Sequence, residues 1–207
     1  MADEGALPGV GPWSGELPTD PRLDPELLMQ GDRRNVVDRY RYWKVESIVA
    51  DLDLRRHGFH VAIENIQHDF NIGSVVRSAN AFLAEEVHII GRRRWNRRGA
   101  MVTERYLHVR HHESAESFAE WAHDRELPLL GIDNVPGSIP LETFDLPSRC
   151  ILLLGQEGPG LSAEAITHCD AILQIAGYGS TRSINIGAAA AVAMHAWIRR
   201  HEFGQSP

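Results

Sequence analysis

From residue 59 onward, short apolar runs alternate with segments of helical periodicity, and this alternation constrains the fold most strongly. The clearest run is Cys150–Leu154, four aliphatic residues after a cysteine, which is typical of a buried strand in a parallel sheet. The alternation predicts an α/β domain with helices on both faces of a parallel sheet. The predicted strands are 59–64, 87–91, 127–133, 150–154 and 171–175, and the predicted helices are 72–83, 114–125, 162–168 and 182–201.

The N-terminal part of the chain has a different composition. Residues 1–31 are rich in proline and glycine and poor in aliphatic side chains, which predicts a disordered acidic tail. Residues 32–57 carry apolar side chains at helical spacing, which predicts a helical extension of one amphipathic helix or two short ones. The alternating pattern then defines a domain over residues 58–203.

The net charge of −7 is unevenly distributed along the chain. Residues 1–31 hold six acidic side chains against Arg22 alone, so the other 176 residues carry only −2. A local cationic patch binds phosphates whatever the overall charge. The candidate nucleic-acid-binding patch is an arginine-rich loop over residues 92–98, formed by Arg92, Arg93, Arg94, Arg97 and Arg98.

Composition excludes several classes of protein. Cys150 and Cys169 are too few for a disulfide framework or a four-cysteine zinc site, and their apolar surroundings predict inert thiols in a reducing cytoplasm. No apolar run reaches the roughly 20 residues that span a bilayer, so no membrane partner is expected. The histidines at positions 108, 111 and 112 lack the cysteine or paired-carboxylate spacing of a metal site, so no metal is expected.

Three glycine-containing segments stand at predicted strand–helix junctions. The first runs from Asn71, the predicted N-cap of a helix, to Arg77, with Gly73 in the first turn. Glycine there weakens a helix by about 1 kcal/mol relative to alanine, which indicates a close approach. The second, LGQEGPGL over residues 154–161, follows the most apolar strand. The third, over residues 175–187, turns through glycines into the last predicted helix.

Each segment alone also fits a capped helix or a tight turn. Taken together in their sequence order, the three segments resemble the motifs of a known protein family. An N-x-G-x-x-x-R helix start, a G-x-E-G-x-G-L loop and a G-x-x-x-S-[IL]-N turn resemble the SpoU-type RNA 2′-O-ribose methyltransferases of the SPOUT superfamily. The resemblance covers roughly residues 59–198. It implies S-adenosylmethionine (AdoMet) as cofactor, a parallel-sheet domain with a C-terminal trefoil knot, a homodimer, and a tRNA or rRNA substrate.

The resemblance also implies roles for individual residues. The matching catalytic positions are Asn71, Arg77, Glu157, Ser183 and Asn185. The matching AdoMet-binding positions are Ile132, Leu154, Gly155, Gly160, Ile175, Gly179, Ser183 and Ile184. The chain departs from the family pattern where Ala176 and Gly177 replace a common Pro-Met, and where Gly187 replaces a common serine. Both places should act through backbone or packing, so we expect an altered pocket shape rather than lost activity.

Arg77 has two possible roles, and other functions remain open. The family proposal makes Arg77 the base, but a guanidinium is rarely deprotonated in a protein. We favour a cation that stabilises developing alkoxide charge, and the sequence does not decide between the two roles. The alternatives are a non-catalytic RNA-binding protein of the same fold and a nucleotide-binding α/β enzyme. The second lacks a dinucleotide fingerprint and a phosphate loop.

Overall fold

The computed structural model describes residues 9–66 and 71–206. The chain forms two compact units, residues 1–54 and residues 55–207. Among the residues described, no helix combines the length and apolar character needed to cross a bilayer.

The smaller unit contains two short helices and a buried carboxylate. The helices are α1 (Pro25–Gln30) and α2 (Val45–Asp53), with a 3-10 turn at Asp38–Tyr40. The Asp32 carboxylate accepts hydrogen bonds from the Arg34 guanidinium at 2.7 and 2.9 Å and from the Tyr42 backbone N–H at 2.9 Å. Burial raises the pKa of Asp32, but the hydrogen bonds from Arg34 and Tyr42 outweigh it and lower that pKa to about 2.

Two predictions for this unit need correction. The disordered tail predicted over residues 1–31 does not extend through residues 9–31, where Asp24 caps α1 and Val10 pairs with Asp32. In place of the one amphipathic helix or two short ones predicted over residues 32–57, the structure has only α2 and the preceding 3-10 turn. The reason is local, because aspartate side chains that accept nearby backbone N–H groups compete with a continuous helix.

The larger unit is built on a parallel sheet, as the alternation predicts, but the sheet has seven strands rather than the five expected. Its strands are β1 (Phe59–Asn65), β2 (Val87–Gly91), β3 (Val109–His112), β4 (Leu129–Ile132), β5 (Ile139–Pro140), β6 (Cys150–Leu154) and β7 (Ala171–Gln174). The strand order is β3-β2-β1-β6-β4-β7-β5, and every neighbouring pair is parallel. The sequence analysis missed β3 and β5 because they are short edge strands without a buried apolar run.

The helices of this unit lie close to their predicted positions. They are α3 (Ile72–Ala81), α4 (Ala115–His123), α5 (Ala163–His168) and α6 (Ile186–His201). The last helix begins four residues later than the predicted 182, because the Asn185 side chain accepts hydrogen bonds from the N–H groups of Gly187 and Ala188 at 3.0 and 3.3 Å. Residues 182–185 therefore remain a loop.

Apolar packing covers both faces of the sheet and fixes its carboxyl edge. On one face, α3 and α6 bury Val76 and Trp197 against Phe59. On the other, α4 and α5 bury Phe118 and Ala165. Because the strands are parallel, the carboxyl ends of β1, β6, β4 and β7 meet at one edge, where ligands bind in such sheets.

Candidate active site

A cavity of about 660 Å³ lies at the carboxyl edge of the sheet. Its walls come from residues 132–134 after β4, residues 155–160 after β6 and residues 175–186 after β7. These three strands are neighbours in the sheet, so the loops that follow them converge. A cavity of this volume falls in the range of about 300–1,000 Å³ that is common for small-molecule and cofactor sites.

The loop over residues 155–160 is folded tightly on itself, and this explains its glycines. Gln156 and Gly160 exchange backbone hydrogen bonds of 2.8 and 3.0 Å. A Cβ atom on Gly155 would lie 2.1 Å from the carbonyl carbon of Gly160, so no other residue fits without moving the backbone. Gly160 has a φ of +77°, and a Cβ there would meet Asp133 Oδ2 at 2.4 Å.

Asp133 is a residue that the sequence analysis missed. Its carboxylate accepts hydrogen bonds from the Leu161 N–H at 2.8 Å and the Asn134 N–H at 2.7 Å. The Asn134 side chain donates to the Arg182 carbonyl at 3.0 Å. Asp133 and Asn134 therefore tie the three loops of the cavity together. The only sequence signal was their position directly after a buried strand.

Three of the predicted catalytic side chains form one hydrogen-bonded cluster. Asn71 Nδ2 donates to Glu157 Oε2, and Asn185 Nδ2 donates to Asn71 Oδ1 at 3.0 Å and to Glu157 Oε1 at 3.3 Å. We call this set the Asn–Glu–Asn cluster. Each member comes from a different motif, and Glu157 and Asn185 also line the cavity. The side chain of Asn71, at the predicted cap position of α3, makes no capping hydrogen bond.

Arg77 and Ser183, the other two predicted catalytic residues, are exposed. Within residues 9–66 and 71–206, no hydrogen bond or ion pair holds the Arg77 guanidinium. Ser183 lies in the wall of the cavity. The close approach expected at Gly73 is to the backbone of Gly99 and Ala100, where a Cβ would come within 2.7 Å.

Most of the predicted AdoMet-binding residues line the cavity. They are Ile132, Gly155, Gly160, Ile175, Gly179, Ser183 and Ile184. Leu154 is an exception, because it is 1% exposed in β6 and belongs to the core rather than to the wall. Burial raises the pKa of both Cys150 and Cys169 to about 12, so neither thiol is ionised at neutral pH.

Hydrogen bonds hold the backbone of the arginine-rich loop, and the arginine side chains of the loop are exposed. Asn65 Nδ2, at the end of β1, donates to the carbonyls of Arg92 and Arg94 at 2.6 and 3.0 Å. Asn96 Oδ1 accepts from the Arg98 N–H at 3.0 Å. All five arginines of the loop are exposed. Because Gly73 packs against Gly99 and Ala100, the loop is held beside the helix that carries Arg77.

A cavity with glycine-rich walls and a polar cluster, at the carboxyl edge of a parallel α/β sheet, is the arrangement in which proteins of this fold class bind ligands. The sequence model of the SpoU rRNA Methylase family matches residues 58–195, and the chain belongs to this family.

Curated proteins similar to this chain are named as tRNA/rRNA methyltransferases. An "Uncharacterized tRNA/rRNA methyltransferase" of Mycobacterium avium (strain 104) is 33% identical over 141 residues, which are 65% of this chain and 45% of the relative. One of Mycobacterium ulcerans (strain Agy99) with the same name is 30% identical over 165 residues, 76% of this chain and 52% of the relative. The chain thus spans about half the length of these relatives.

Solved structures share the fold. The SpoU methyltransferase AviRb from Streptomyces viridochromogenes, in complex with the cofactor AdoMet, has a TM-score of 0.66 and 26% identity, and the match covers 75% of this chain and 62% of that one. The A. aeolicus TrmH/SpoU tRNA modifying enzyme has a TM-score of 0.67 over 77% of this chain and 84% of its own, at 18% identity. These matches confirm the predicted SPOUT methyltransferase fold class, whereas the trefoil knot stays a prediction.

Proposed function

We propose that this protein is an AdoMet-dependent RNA methyltransferase that acts on the ribose 2′-hydroxyl of a structured tRNA or rRNA. The observation that carries the proposal is the Asn–Glu–Asn cluster, since it joins all three motifs and shares two residues with the cavity. Membership of the SpoU family supports the reaction class. The finer specificity is supported by the resemblance and by a fold neighbour described as an RNA 2′-O ribose methyltransferase.

The cavity has the features that AdoMet binding requires. The glycines at positions 155 and 160 let the loop over residues 155–160 fold tightly at the cavity wall, and no atom lies within 4 Å of a Cβ built on Gly177 or Gly179. Ile132, Ile175 and Ile184 supply apolar walls. Bound there, AdoMet would supply a methyl group activated by its positive sulfur. The protein's task is then mainly alignment of the ribose oxygen with that methyl.

Arg77 is the residue we assign to the developing charge on the 2′-oxygen. An exposed guanidinium stays protonated and presents five donors to an oxyanion or a neighbouring phosphate. A preorganised cation lowers the barrier by stabilising alkoxide character, and the proton leaves late, to water or phosphate. Asn71 and Asn185 each donate to the Glu157 carboxylate, so they fix the cluster beside the cavity and orient the ribose.

The arginine-rich loop is the proposed RNA contact. Five exposed guanidiniums offer donors to phosphates, and Trp95, with Arg97 5.8 Å from its ring centroid, offers a surface on which an unpaired base stacks. A structure described as "Structural insights into the 2-OH methylation of C/U34 on tRNA" matches 72% of this chain and 99% of its own at 25% identity and a TM-score of 0.63. This neighbour favours a tRNA substrate, and rRNA is the alternative.

We also propose a homodimer joined partly through α6. Ile184 before the helix and Val192 on it are 47% and 43% exposed, beside a run of four alanines that allows close backbone approach. A two-fold interface would place two equivalent sites near one surface. Light scattering at low micromolar concentration should give twice the 23.1 kDa chain mass. An active species at the monomer mass contradicts the dimer.

Incubation with tritiated AdoMet tests the function directly. We expect label to enter bulk tRNA or rRNA from a related bacterium, and nucleoside analysis to recover it in a 2′-O-methylated nucleoside. Label in a base-methylated nucleoside would overturn the 2′-O assignment. RNA binding without label transfer, by protein that binds AdoMet, would favour the non-catalytic RNA-binding alternative.

A further inference from the structure

Three histidines on neighbouring strands form a buried row on the face of the sheet covered by α4. They are His60 on β1, His88 on β2 and His112 on β3, and each is less than 9% exposed. His60 Nδ1 lies 3.1 Å from His88 Nε2, and His88 Nδ1 lies 3.1 Å from His112 Nε2. The row lies outside the three motifs, and the proposed reaction does not use it.

A carboxylate stands beside the middle of this row. Glu86 Oε2 is 3.8 Å from His88 Nε2, and Glu86 Oε1 accepts a hydrogen bond from Arg110 Nη2 at 2.9 Å. The ligand atoms of His60, Glu86 and His88 all lie within 4.8 Å of one another. In a tetrahedral zinc site the metal–ligand distances are about 2.0–2.2 Å, which sets the ligand atoms roughly 3.3 Å apart. The His60 Nδ1 to His88 Nε2 separation of 3.1 Å is close to that spacing, whereas the Glu86 carboxylate, 3.8 Å from His88 Nε2, would have to move closer to bind the same ion.

We propose that His60 Nδ1, His88 Nε2 and Glu86 Oε2 form a binding site for one divalent transition-metal ion of the zinc type. The spacing of the histidines at 108, 111 and 112 predicts no metal site, whereas the fold brings together two other histidines, His60 and His88. Two imidazole nitrogens and one carboxylate oxygen are an established zinc ligand set. The fourth position is left for water.

The third histidine gives the ligand histidine its orientation. A neutral imidazole has one N–H and one lone pair, so a His88 that binds metal through Nε2 carries its proton on Nδ1. That N–H then donates to His112 Nε2, 3.1 Å away. Such a partner fixes the tautomer and ring plane of a metal ligand.

Nearby cations limit the affinity of the site. Arg110, Arg125 and Arg149 all act on the row and oppose a cation there. The Arg110 side chain is 47% exposed, so it can keep its bond to Glu86 Oε1 while releasing Oε2. We therefore expect a micromolar rather than a nanomolar site. The ion would lie on strands β1 and β2, so it would stiffen the sheet rather than take part in methyl transfer.

Metal titration of the protein without a histidine tag tests the site. We expect Zn²⁺ calorimetry to show one ion per chain, and Co²⁺ to develop the visible absorption of a tetrahedral complex. Glu86→Gln removes the anionic ligand but keeps an oxygen for Arg110, so the variant should fold and bind Zn²⁺ at least tenfold more weakly. His168→Asn, which changes an exposed histidine outside the row, should bind like the parent.

Two results would overturn the proposal. One is no Zn²⁺ binding by the folded parent protein at 100-fold molar excess over the chain. The other is equal affinity in the parent and in Glu86→Gln, with circular dichroism confirming that the variant is folded. Both readouts are independent of RNA and AdoMet, so they do not depend on the proposed function.

Discussion

The Asn–Glu–Asn cluster and the histidine row are two polar groupings in one domain, and they differ in exposure. Glu157 and Asn185 are exposed at the carboxyl edge, and the exposed Arg77 on α3 has no ion-pair partner in the described part of the chain. His60 and His88 are buried against α4, where Trp121 packs on His88 with ring centroids 4.4 Å apart.

Because of this difference in exposure, we expect mutations to affect function at the Asn–Glu–Asn cluster and stability at the histidine row. Buried polar groups must be paired within the protein, since an unpaired one costs about 1–3 kcal/mol. Exposed polar groups hydrogen-bond to water instead, so this cost does not arise and their donors can bind a ligand. A substitution at the carboxyl edge should therefore change turnover or binding while the fold survives, and one in the histidine row should change the free energy of unfolding.

The largest expected effect is that of Arg77→Ala on turnover. Removing one preorganised charge stabiliser should lower kcat by roughly 100-fold or more. AdoMet affinity should stay within a few-fold, because Arg77 does not line the cavity. Single-turnover kinetics and calorimetry measure the two quantities. A folded variant that no longer binds AdoMet would show that Arg77 belongs to the cofactor site.

His88→Ala should give the reverse outcome. The cavity left behind and the two unpaired imidazoles should lower the free energy of unfolding by about 2–4 kcal/mol, measured by urea denaturation with a chelator present. AdoMet affinity of the folded fraction should be unchanged. His168→Ala is the matched control, for which a surface change should stay within about 0.5 kcal/mol. If the two variants are equally stable, the histidine row does not contribute to the stability of the fold as we expect.

Gly155→Ala tests whether an exposed site also depends on tight packing. Its new Cβ would lie 2.1 Å from Gly160 and force the loop to move, so we expect at least tenfold weaker AdoMet binding. Gly11→Ala adds the same methyl group where no atom lies within 4 Å, and should leave binding unchanged. Parent-like affinity in Gly155→Ala would show that the cofactor does not use this loop.

The smallest effect should come from a single arginine of the exposed loop. Arg93→Ala should lower the slope of log RNA affinity against log salt by about 0.7 for a single strand or 0.9 for a duplex, with saturating turnover unchanged. Filter binding over a salt series measures the slope. An unchanged slope would mean that Arg93 makes no phosphate contact.

Features that depend on neighbouring residues were predicted from the sequence, whereas features that depend on contacts between distant segments were not. Buried strands such as Cys150–Leu154 were predictable because a strand that is buried on both faces has apolar residues at successive positions. The edge strand Val109–His112 was not, since it has one neighbour and exposed residues. Residues 9–31 were misjudged because their structure depends on specific caps such as Asp24 rather than on aliphatic content.

The sequence by itself determined the fold class, the order of the three motifs and their side chains, because periodicity and motif spacing are local properties. Only the tertiary structure decided which of those side chains meet. Asn71 and Glu157 are 86 residues apart, and they touch because β1 and β6 are adjacent in the sheet. The same holds for His60 and His88, whose contact depends on the pairing of β1 with β2. Strand order is set by how the apolar faces pack together, and no single segment of the chain encodes it.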